Sequence, residues 1–272
     1  MTPEPLLREA RDTTRRVART FSLAARLLPG HVRDDVYLLY LVFRTLDDSV
    51  DHGHPDAAER IAAVLAWCDG SRPTSREARL LEELAARHAL PRHAVRSFCA
   101  GMTQDLHGPP RFETEADVDA YCYRVAGTVG VVMAALLGTR GDARAAESAA
   151  AALGMAMQRT NILRDIDEDI ASGRVYLAAE TLERFGGSLA PGHREPLLRD
   201  QIALADALYE RGLAGVALLH EGRRAIAAAA AMYREILRQI EREGYGARPG
   251  RVVVTGARKV AVAAPAYAMP PS

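Results

Sequence analysis

Apolar residues recur every three to four positions along most of this 272-residue chain, which is the spacing of one face of an α-helix. Proline, glycine and cap-like residues divide the pattern into segments. Helices are predicted at 4–28, 34–50, 56–68, 75–88, 92–106, 114–137, 143–169, 179–185, 195–220 and 223–242. Only 252–255 has a strand-like pattern, and the tail after Gly244 is predicted to be irregular. With no repeat and no flexible linker, an all-α, single-domain fold is the simplest expectation.

The predicted helix 34–50 is apolar on almost every side, so we expect it to be central in the fold. Where it ends, Arg44, Asp47, Asp48 and Asp51 stand at positions i, i+3, i+4 and i+7, within roughly 100° of the helix circumference. Three carboxylates this close raise one another's pKa unless a cation lies between them. A solvated acidic helix end is the simpler interpretation of this set alone.

A second polar face lies more than a hundred residues later, within 158–177. At about 100° per residue, Gln158, Asn161, Asp165 and Asp169 fall within roughly an 80° arc. Asp167 points roughly the opposite way, so it is predicted to lie outside this face. Apolar neighbours indicate a packed helix, and a packed helix with an acidic stripe requires cations.

If the two acidic faces meet, they can bind Mg²⁺, or Mn²⁺ as an alternative, because Mg²⁺ prefers a few carboxylates plus the phosphates of a substrate. Arginines beside the acids suit phosphate oxygens, since the planar guanidinium matches their geometry. These are Arg44, Arg164 and Arg174. For each arginine taken alone, an ordinary helix salt bridge is the alternative.

Two glycines interrupt the predicted helix 114–137, at Gly127 and Gly130. Each costs about 1 kcal/mol relative to alanine, so some interaction offsets it. Close helix packing is one explanation. The other is space for a long apolar substrate, with Val125, Val129 and Met133 as its wall.

The composition narrows the functional classes. Acidic and basic residues are balanced at 35 each, which gives no bulk attraction to nucleic acid. Three distant cysteines argue against disulfides and favour a reducing, cytoplasmic location. The N-terminus lacks the apolar core of a signal peptide, and no membrane-spanning segment is predicted from runs of uncharged apolar residues. Zinc-protease, nucleophile-elbow, dinucleotide and phosphate-loop motifs are absent, and His52 and His54 are interpreted as loop residues.

Five motifs, in this order and spacing, resemble the squalene/phytoene synthase family: ARTFSLAARLLP, LYLVFRTLDDSVD, GMTQDL, YCYRVAGTVG and NILRDIDEDIASGRVYL. The resemblance implies an all-α isoprenoid-synthase bundle with a central cavity between two aspartate-rich helices. It implies a Mg²⁺-dependent prenyltransferase that ionises one allylic prenyl diphosphate and joins it head to head to a second one through a cyclopropyl diphosphate. Phytoene from two C20 donors is the first expectation, and a C30 product from two C15 donors the second.

Site residues are implied by the same motifs. The metal-binding set is Asp47, Asp48, Asp51, Asn161, Asp165 and Asp169, and the catalytic set is these five aspartates with Tyr121. The substrate-binding set is Arg19, Phe21, Tyr40, Arg44, Val125, Gln158, Arg164, Tyr233 and Arg251.

The chain departs from the family pattern in four places. It has Ala18-Arg19-Thr20-Phe21 in place of Ser-Lys-Ser-Phe, Phe43 before Arg44, Ala178 in place of proline, and a tail that ends in Ala-Pro-Ala-Tyr-Ala-Met-Pro-Pro-Ser. The first alternative is therefore an enzyme that uses one prenyl diphosphate, either to prenylate an aromatic or other small acceptor or to form a cyclised terpene. A non-catalytic helical protein whose acids bind ions is the second. Because the products are so apolar, peripheral contact with a membrane is also expected.

Overall fold

Fourteen α-helices make up most of residues 4–268, the part of the chain that this computed structural model describes. The helices are α1 Glu4–Val17, α2 Arg19–Ala25, α3 Gly30–Asp51, α4 Ala57–Cys68, α5 Arg76–Ala85, α6 Arg92–Leu106, α7 Glu115–Cys122, α8 Thr128–Leu137, α9 Ala143–Arg164, α10 Ile166–Ala171, α11 Ala179–Arg184, α12 Glu195–Ala214, α13 Arg223–Arg242 and α14 Gly256–Tyr267. A π-helical turn, Tyr123–Gly127, joins α7 to α8, and a 3₁₀ turn, Val216–Leu218, follows α12. The all-α prediction is confirmed.

Several predicted boundaries match the structure because their sequence signals are local. Helices α6 and α13 begin and end where the pattern places them. The capping box at α7 is present, since Thr114 Oγ1 accepts a hydrogen bond from the Asp117 amide and the Asp117 carboxylate accepts one from the Thr114 amide at 2.9 Å.

Three predicted helices are wrong in their continuity. Helix 4–28 is broken at Ala18, whose φ of −117° and ψ of 58° are not helical. Helix 143–169 is interrupted at Asp165, whose side chain pairs with Arg164 and with Arg251 of the C-terminal segment. Helix 195–220 ends at Ala214 and is followed by the 3₁₀ turn. The periodicity of apolar residues does not report such breaks.

The C-terminal prediction also needs correction. The tail after Gly244 is not irregular, because α14 forms there, capped by the Thr255 side chain, which accepts a hydrogen bond from the Arg258 amide. The strand-like segment 252–255 is unpaired, and no strand is found within residues 4–268. Val254 is instead buried and Val252 partly buried in an apolar cluster with several helices, whereas Val253 is 68% exposed.

Helix α3 is the central helix of one half of the protein, as its apolar pattern predicts. Its buried residues contact α1, α4, α5, α6 and α8 in one apolar cluster. A second cluster joins α7, α9, α12 and α13, and a third, smaller one joins α2, α13 and α14. The acidic ends of α3 and α9 therefore project from two adjoining cores.

Gly130 and Gly154 mark a close crossing of α8 and α9. A Cβ on Gly130 would lie 2.3 Å from the carbonyl oxygen of Ala150, and one on Gly154 would lie 2.3 Å from that of Ala126. Gly127 has similarly little room, with Ala151 O at 3.3 Å from its notional Cβ. Close helix packing, and not an open substrate channel at these positions, explains the glycines.

The run Glu115–Leu137, from α7 through α8, is long and apolar enough to cross a membrane by length and composition. This differs from the sequence prediction, which counted only uncharged apolar runs. Within the protein, 56% of its most apolar stretch is buried, so packing in the bundle accounts for its composition.

Candidate functional site

The first acidic face lies in the last two turns of α3, next to the apolar core that fixes the helix in place. Arg44 Nη1 donates to Asp47 Oδ2 at 2.9 Å and also pairs with Asp48. Burial, and then the neighbouring Asp51 carboxylate, raise the pKa of Asp47 to about 7. Arg44 therefore pairs with two of the three acids, Asp47 and Asp48, and not with Asp51.

The second acidic face spans the break between α9 and α10. The i, i+4 spacing of its side chains is kept across the break. The amide of Asp165 donates to Asn161 O and that of Asp169 donates to Asp165 O, both at 2.9 Å. Arg164 donates two hydrogen bonds to Asp165, at 2.7 and 2.5 Å, and Arg251 Nε lies 3.2 Å from the same carboxylate. Burial, and then Asp165, raise the pKa of Asp169 to about 6.

The amides of this face extend it along α9. Asn161 Nδ2 donates to Gln158 Oε1 at 3.3 Å, while Asn161 Oδ1 is buried with no hydrogen-bond partner among residues 4–268. A buried acceptor without a donor is costly unless a ligand supplies one. Asp167 points away, as predicted, and its carboxylate is held by Arg194 at 2.8 Å and by the Gly250 amide at 2.8 Å.

The two acidic faces meet through Arg174, which follows α10. Its Nη1 lies 3.4 Å from Asp51 Oδ1 on α3, and its charge also lowers the pKa of Asp169 against the larger effect of burial. The structure therefore brings together two motifs that are 123 positions apart in the sequence at this contact. Arg174 was recognised in the sequence only as a neighbour of the second motif.

A group of cations adjoins the second face. The pKa of Lys259, on α14, is lowered by burial and by the charges of Arg164 and Arg19, so the three lie close together. Lys259 Nζ also donates to Thr20 Oγ1 at 2.9 Å. Sequence analysis missed Lys259 because α14 was predicted to be irregular. That it is the only lysine in the chain was the one available signal.

Tyr233, on α13, lies among the predicted phosphate-binding groups. Burial raises its pKa, and the charge of Arg164 acts against that shift through a direct hydrogen bond between the two side chains. Burial also raises the pKa of Tyr40 on α3, with Tyr233 and Asp47 adding to the effect.

An aromatic group with one carboxylate forms another side of the site. Tyr121 lies with its ring centroid 5.6 Å from that of Tyr176 and 5.3 Å from that of Phe112. Its hydroxyl donates to Asp105 Oδ2 at 3.2 Å, while Asp105 Oδ1 is buried without a partner among the described residues. Burial, and then Asp51, raise the pKa of Asp105 to about 6. Asp105 lies in the motif GMTQDL, but no role was predicted for it.

The predicted apolar lining is present in part. Phe21 and Tyr40 stack at 5.6 Å between ring centroids, and Val125 contacts two of the apolar clusters. A cavity of about 470 Å³ lies along the first half of α9 instead and contains none of the predicted site residues. Its lining is Tyr123, Val131, Arg144, Glu147, Ser148, Ala151, Ala152, Met155 and Arg211.

No three histidine, cysteine or carboxylate side chains converge closely enough within residues 4–268 to form a metal cage without other ligands. The donor chemistry nevertheless fits Mg²⁺, which keeps several waters and takes substrate phosphates as ligands. The raised pKa values of Asp47 and Asp169 and the unpartnered Asn161 oxygen are features that a bound cation would relieve. His52 and His54 lie at the end of α3 and in the turn beyond it.

Comparison with known proteins agrees with this geometry. A family model described as squalene/phytoene synthase matches residues 14–258. A phytoene synthase of Thermus thermophilus is 39% identical over 236 residues, covering 83% of this chain and 80% of the relative. A presqualene diphosphate synthase of Zymomonas mobilis is 39% identical over 173 residues, covering 61% of this chain and 58% of the relative.

Among solved structures, a dehydrosqualene synthase with a bound ligand superposes with a TM-score of 0.87 at 27% identity, covering 97% of this chain and 96% of its own. The matched fold includes both acidic faces and the helices that carry them. The chain therefore belongs to the squalene/phytoene synthase family and is a prenyltransferase.

Proposed function

We propose that this prenyltransferase joins two allylic prenyl diphosphates head to head, and that it depends on Mg²⁺, with Mn²⁺ as an alternative ion. The observation that carries the proposal is the meeting of two acidic faces at Arg174, with Arg164 and Arg251 beside Asp165. Such a pairing suits a substrate with a negatively charged head, since metal ions and arginines then share its oxygens. The relatives named phytoene synthase and presqualene diphosphate synthase support the same reaction type.

The metal site would use carboxylates from both faces. Asp47, Asp48 and Asp51 would hold metal on the α3 side. Asp165 and Asp169, with Asn161 Oδ1, would do so on the α9–α10 side. Bound there, Mg²⁺ would neutralise the charge that develops on the diphosphate as its carbon–oxygen bond breaks.

The cations would orient the diphosphate through its oxygens. Arg164, Arg251 and Tyr233 lie together beside Asp165, and Lys259 and Arg19 adjoin them. Arg44 would serve the other face, where its buried Nε has no partner among the described residues. Arg164 and Arg251 would then contact the substrate in place of their present ion pairs with Asp165.

The apolar part of the site would shield the allylic cation that forms when diphosphate leaves with the bonding electrons. Electron-rich ring faces attract cations, and Tyr121, Tyr176 and Phe112 form such a group beside the acids. Phe21, Tyr40, Val125 and Gln158 would contact the prenyl chains. The double bond of the second donor then attacks C1, and a proton is lost as the cyclopropyl ring forms.

Asp105 is placed to influence that proton loss. Its pKa of about 6 and its hydrogen bond from Tyr121 would let the pair accept a proton at neutral pH. Because Asp105 lies outside the predicted metal set, Asp105→Asn tests this role separately from metal binding. We expect slower turnover with little change in Mg²⁺ dependence.

Product analysis tests the reaction type. Purified protein is incubated with Mg²⁺ and with C10, C15 or C20 allylic diphosphates, and the organic extract is examined. A C40 or C30 hydrocarbon, or the corresponding cyclopropyl diphosphate, is the expected result. A cyclised terpene, or a product linked to an added aromatic acceptor, would instead establish the single-donor alternative. No release of diphosphate from any donor would refute both reactions.

A further inference from the structure

Asp167 stands in the sequence between two acids of the second face, but its side chain points away from them and contacts the C-terminal part of the chain. Its Oδ2 accepts a hydrogen bond from the Gly250 amide at 2.8 Å. Gly250 directly precedes Arg251 in the sequence. A side chain of α10 is therefore bonded to the backbone next to a proposed diphosphate ligand.

A buried arginine fixes the orientation of this carboxylate. Arg194 directly precedes α12, is 1% exposed and donates to both oxygens of Asp167 at 2.8 Å. Its Nη1 also donates to Leu189 O at 3.2 Å. Two parallel hydrogen bonds from a planar guanidinium restrict the plane and the direction of a carboxylate. Asp167 therefore presents Oδ2 to the Gly250 amide in a fixed direction.

The same arginine contacts the C-terminal part of the chain at Gly246. A Cβ on Gly246 would lie 2.4 Å from Arg194 Nε, and the φ of this glycine is +73°. Both features disfavour any residue with a side chain at this position. The Gly246 carbonyl also accepts a hydrogen bond from the Gly192 amide at 3.2 Å. The C-terminal segment thus contacts the buried ion pair at two points, Gly246 and Gly250.

These contacts matter because the segment lacks regular structure. Residues 243–255, all of which the structure describes, link α13 to α14 without a helix or a strand. In this segment, Arg251 Nε lies 3.2 Å from Asp165 Oδ1, and Arg251 Nη1 donates to Glu168 Oε2 at 3.2 Å. The Arg251 side chain is 47% exposed, and ion pairs of exposed side chains are weak. The position of its guanidinium therefore depends on where the backbone is held.

We propose that Asp167 and Arg194 are positioning residues that hold the backbone beside Arg251. The Arg251 guanidinium is then oriented towards the diphosphate before the substrate binds, which removes part of the entropic cost of binding. The inference rests on the proposed function, because Arg251 contacts the diphosphate there. It requires a diphosphate donor but no particular acceptor, so it holds for the head-to-head and the single-donor reactions alike.

Asp206 provides a matched control for the loss of a carboxylate that is paired with arginine. It lies on α12 and pairs with Arg234 and Arg238 of α13. Its side chain is 18% exposed, compared with 20% for Asp167. Asp206 belongs to none of the proposed site sets, so Asp206→Ala reports the effect of losing such an ion pair elsewhere in the fold.

The first measurement is the kcat/KM of three variants, each per folded molecule. Asp167→Ala removes the acceptor of the Gly250 amide and should lower kcat/KM at least about tenfold. Asp167→Asn can keep its oxygen at the place of Oδ2 and so retains that acceptor, while its amide weakens the pairing with Arg194. Asp167→Asn and Asp206→Ala should therefore stay within about threefold of wild type. Binding of inorganic diphosphate with Mg²⁺, measured by calorimetry, should weaken in Asp167→Ala alone.

A double-mutant cycle with Arg251→Ala separates positioning from stability. If Asp167 acts through Arg251, then Asp167→Ala should change kcat/KM by less than about threefold once Arg251 is alanine. Equal losses with and without Arg251, the same loss in Asp206→Ala, or wild-type kcat/KM in Asp167→Ala would each overturn the inference. Wild-type kcat/KM in Arg251→Ala would instead refute the role of Arg251 in the proposed function, and the inference with it.

A second variant applies if Asp167→Ala does not fold, since that change leaves Arg194 buried without its partner. Asp167→Ala combined with Arg194→Leu removes both charges, and replacing a whole buried ion pair by apolar groups is often neutral for stability. Circular dichroism and thermal denaturation confirm that each variant is folded. The expected loss of kcat/KM and its disappearance in the Arg251→Ala background are the same as for Asp167→Ala.

Discussion

Two groups of carboxylates contain the same residue types but differ in whether the fold supplies each acid with a cation. In the first group, the buried Arg159 in the last turns of α9 donates to Asp119 at 2.7 Å, to Glu115 at 2.9 Å and to Gln201 at 3.0 Å. Although burial acts to raise it, hydrogen bonds from Thr181 and Arg159 lower the pKa of Glu115. In the second group, Asp169 on α10 and Asp47 on α3 instead have raised pKa values.

The difference separates structural acids from functional ones. In the first group every charge has a partner supplied by the fold, so the network stabilises one packing arrangement. In the second, acids repel one another and an amide oxygen lacks a donor, which costs stability unless a ligand provides positive charge. A cluster of acids with raised pKa values therefore indicates a binding site, whereas acids that are each paired with a cation of the fold indicate a structural role.

The largest expected effect is a loss of stability on removing Arg159, the cation of the first group. Arg159→Leu leaves Glu115 and Asp119 buried or half-buried without their cation, so we expect a loss of about 3–5 kcal/mol in the free energy of unfolding. Thermal denaturation should show a fall in Tm of roughly 6–20 °C for a chain of this size. Arg199→Leu removes an exposed pair with Glu195 and should cost no more than about 1 kcal/mol. Equal losses in both variants would contradict the comparison.

A second test contrasts two aspartates that are two residues apart and point in different directions. Asp165→Asn should lower kcat/KM by at least about 100-fold, roughly 2.7 kcal/mol of transition-state stabilisation, because it removes a proposed metal ligand. Its control, Asp167→Asn, weakens the contact with buried Arg194. That variant should lose stability while the activity per folded molecule stays within about threefold. Steady-state kinetics and thermal unfolding together separate the two results.

A smaller effect on stability is expected from removing one of the repelling carboxylates in the second group, to which Asp47 and Asp169 belong. Without metal, Asp169→Asn should raise the free energy of unfolding by roughly 1 kcal/mol, allowing for solvent screening. The same change at Asp119, which is matched to Arg159, should lower it. Urea denaturation of both variants measures whether each free energy of unfolding rises or falls. A destabilised Asp169→Asn would show that its carboxylate is satisfied within the fold.

The smallest expected effect is a difference in how the free energy of unfolding depends on pH in the two groups. The pKa of Asp47 is raised from 3.8 to about 7, so between these values the folded state binds more protons than the unfolded state and stability falls as pH rises. The pKa of Glu115 is lowered from 4.5, so its contribution is present above pH 4.5 and is lost as pH falls below it.

Measurements of Tm from pH 4 to 8 without metal test both directions of the pH dependence. The advantage of Asp47→Asn over wild type should grow as pH rises, whereas the deficit of Glu115→Gln should shrink below pH 4.5. Mg²⁺ should reduce the first trend and leave the second unchanged. A flat difference for Asp47→Asn would mean that its carboxyl titrates normally in the folded protein.

The sequence by itself determined the helical class and the composition of the two acidic faces. Apolar periodicity is a local property, so it placed α3, α6 and α13 and put Arg44 and Asp47 on one stripe. The i→i−4 spacing likewise grouped Asn161 with Asp165 and turned Asp167 away. Each of these outcomes follows from 3.6 residues per turn and needs no knowledge of neighbours.

Only the tertiary structure decided which groups share the site. Arg174 reaches Asp51 across the fold, Lys259 reaches Thr20, and Asp105 acquires its shifted pKa from burial and from Asp51. Distances between remote segments depend on how whole helices pack, and burial depends on what covers a side chain, so neither is encoded in the spacing of residues along one helix.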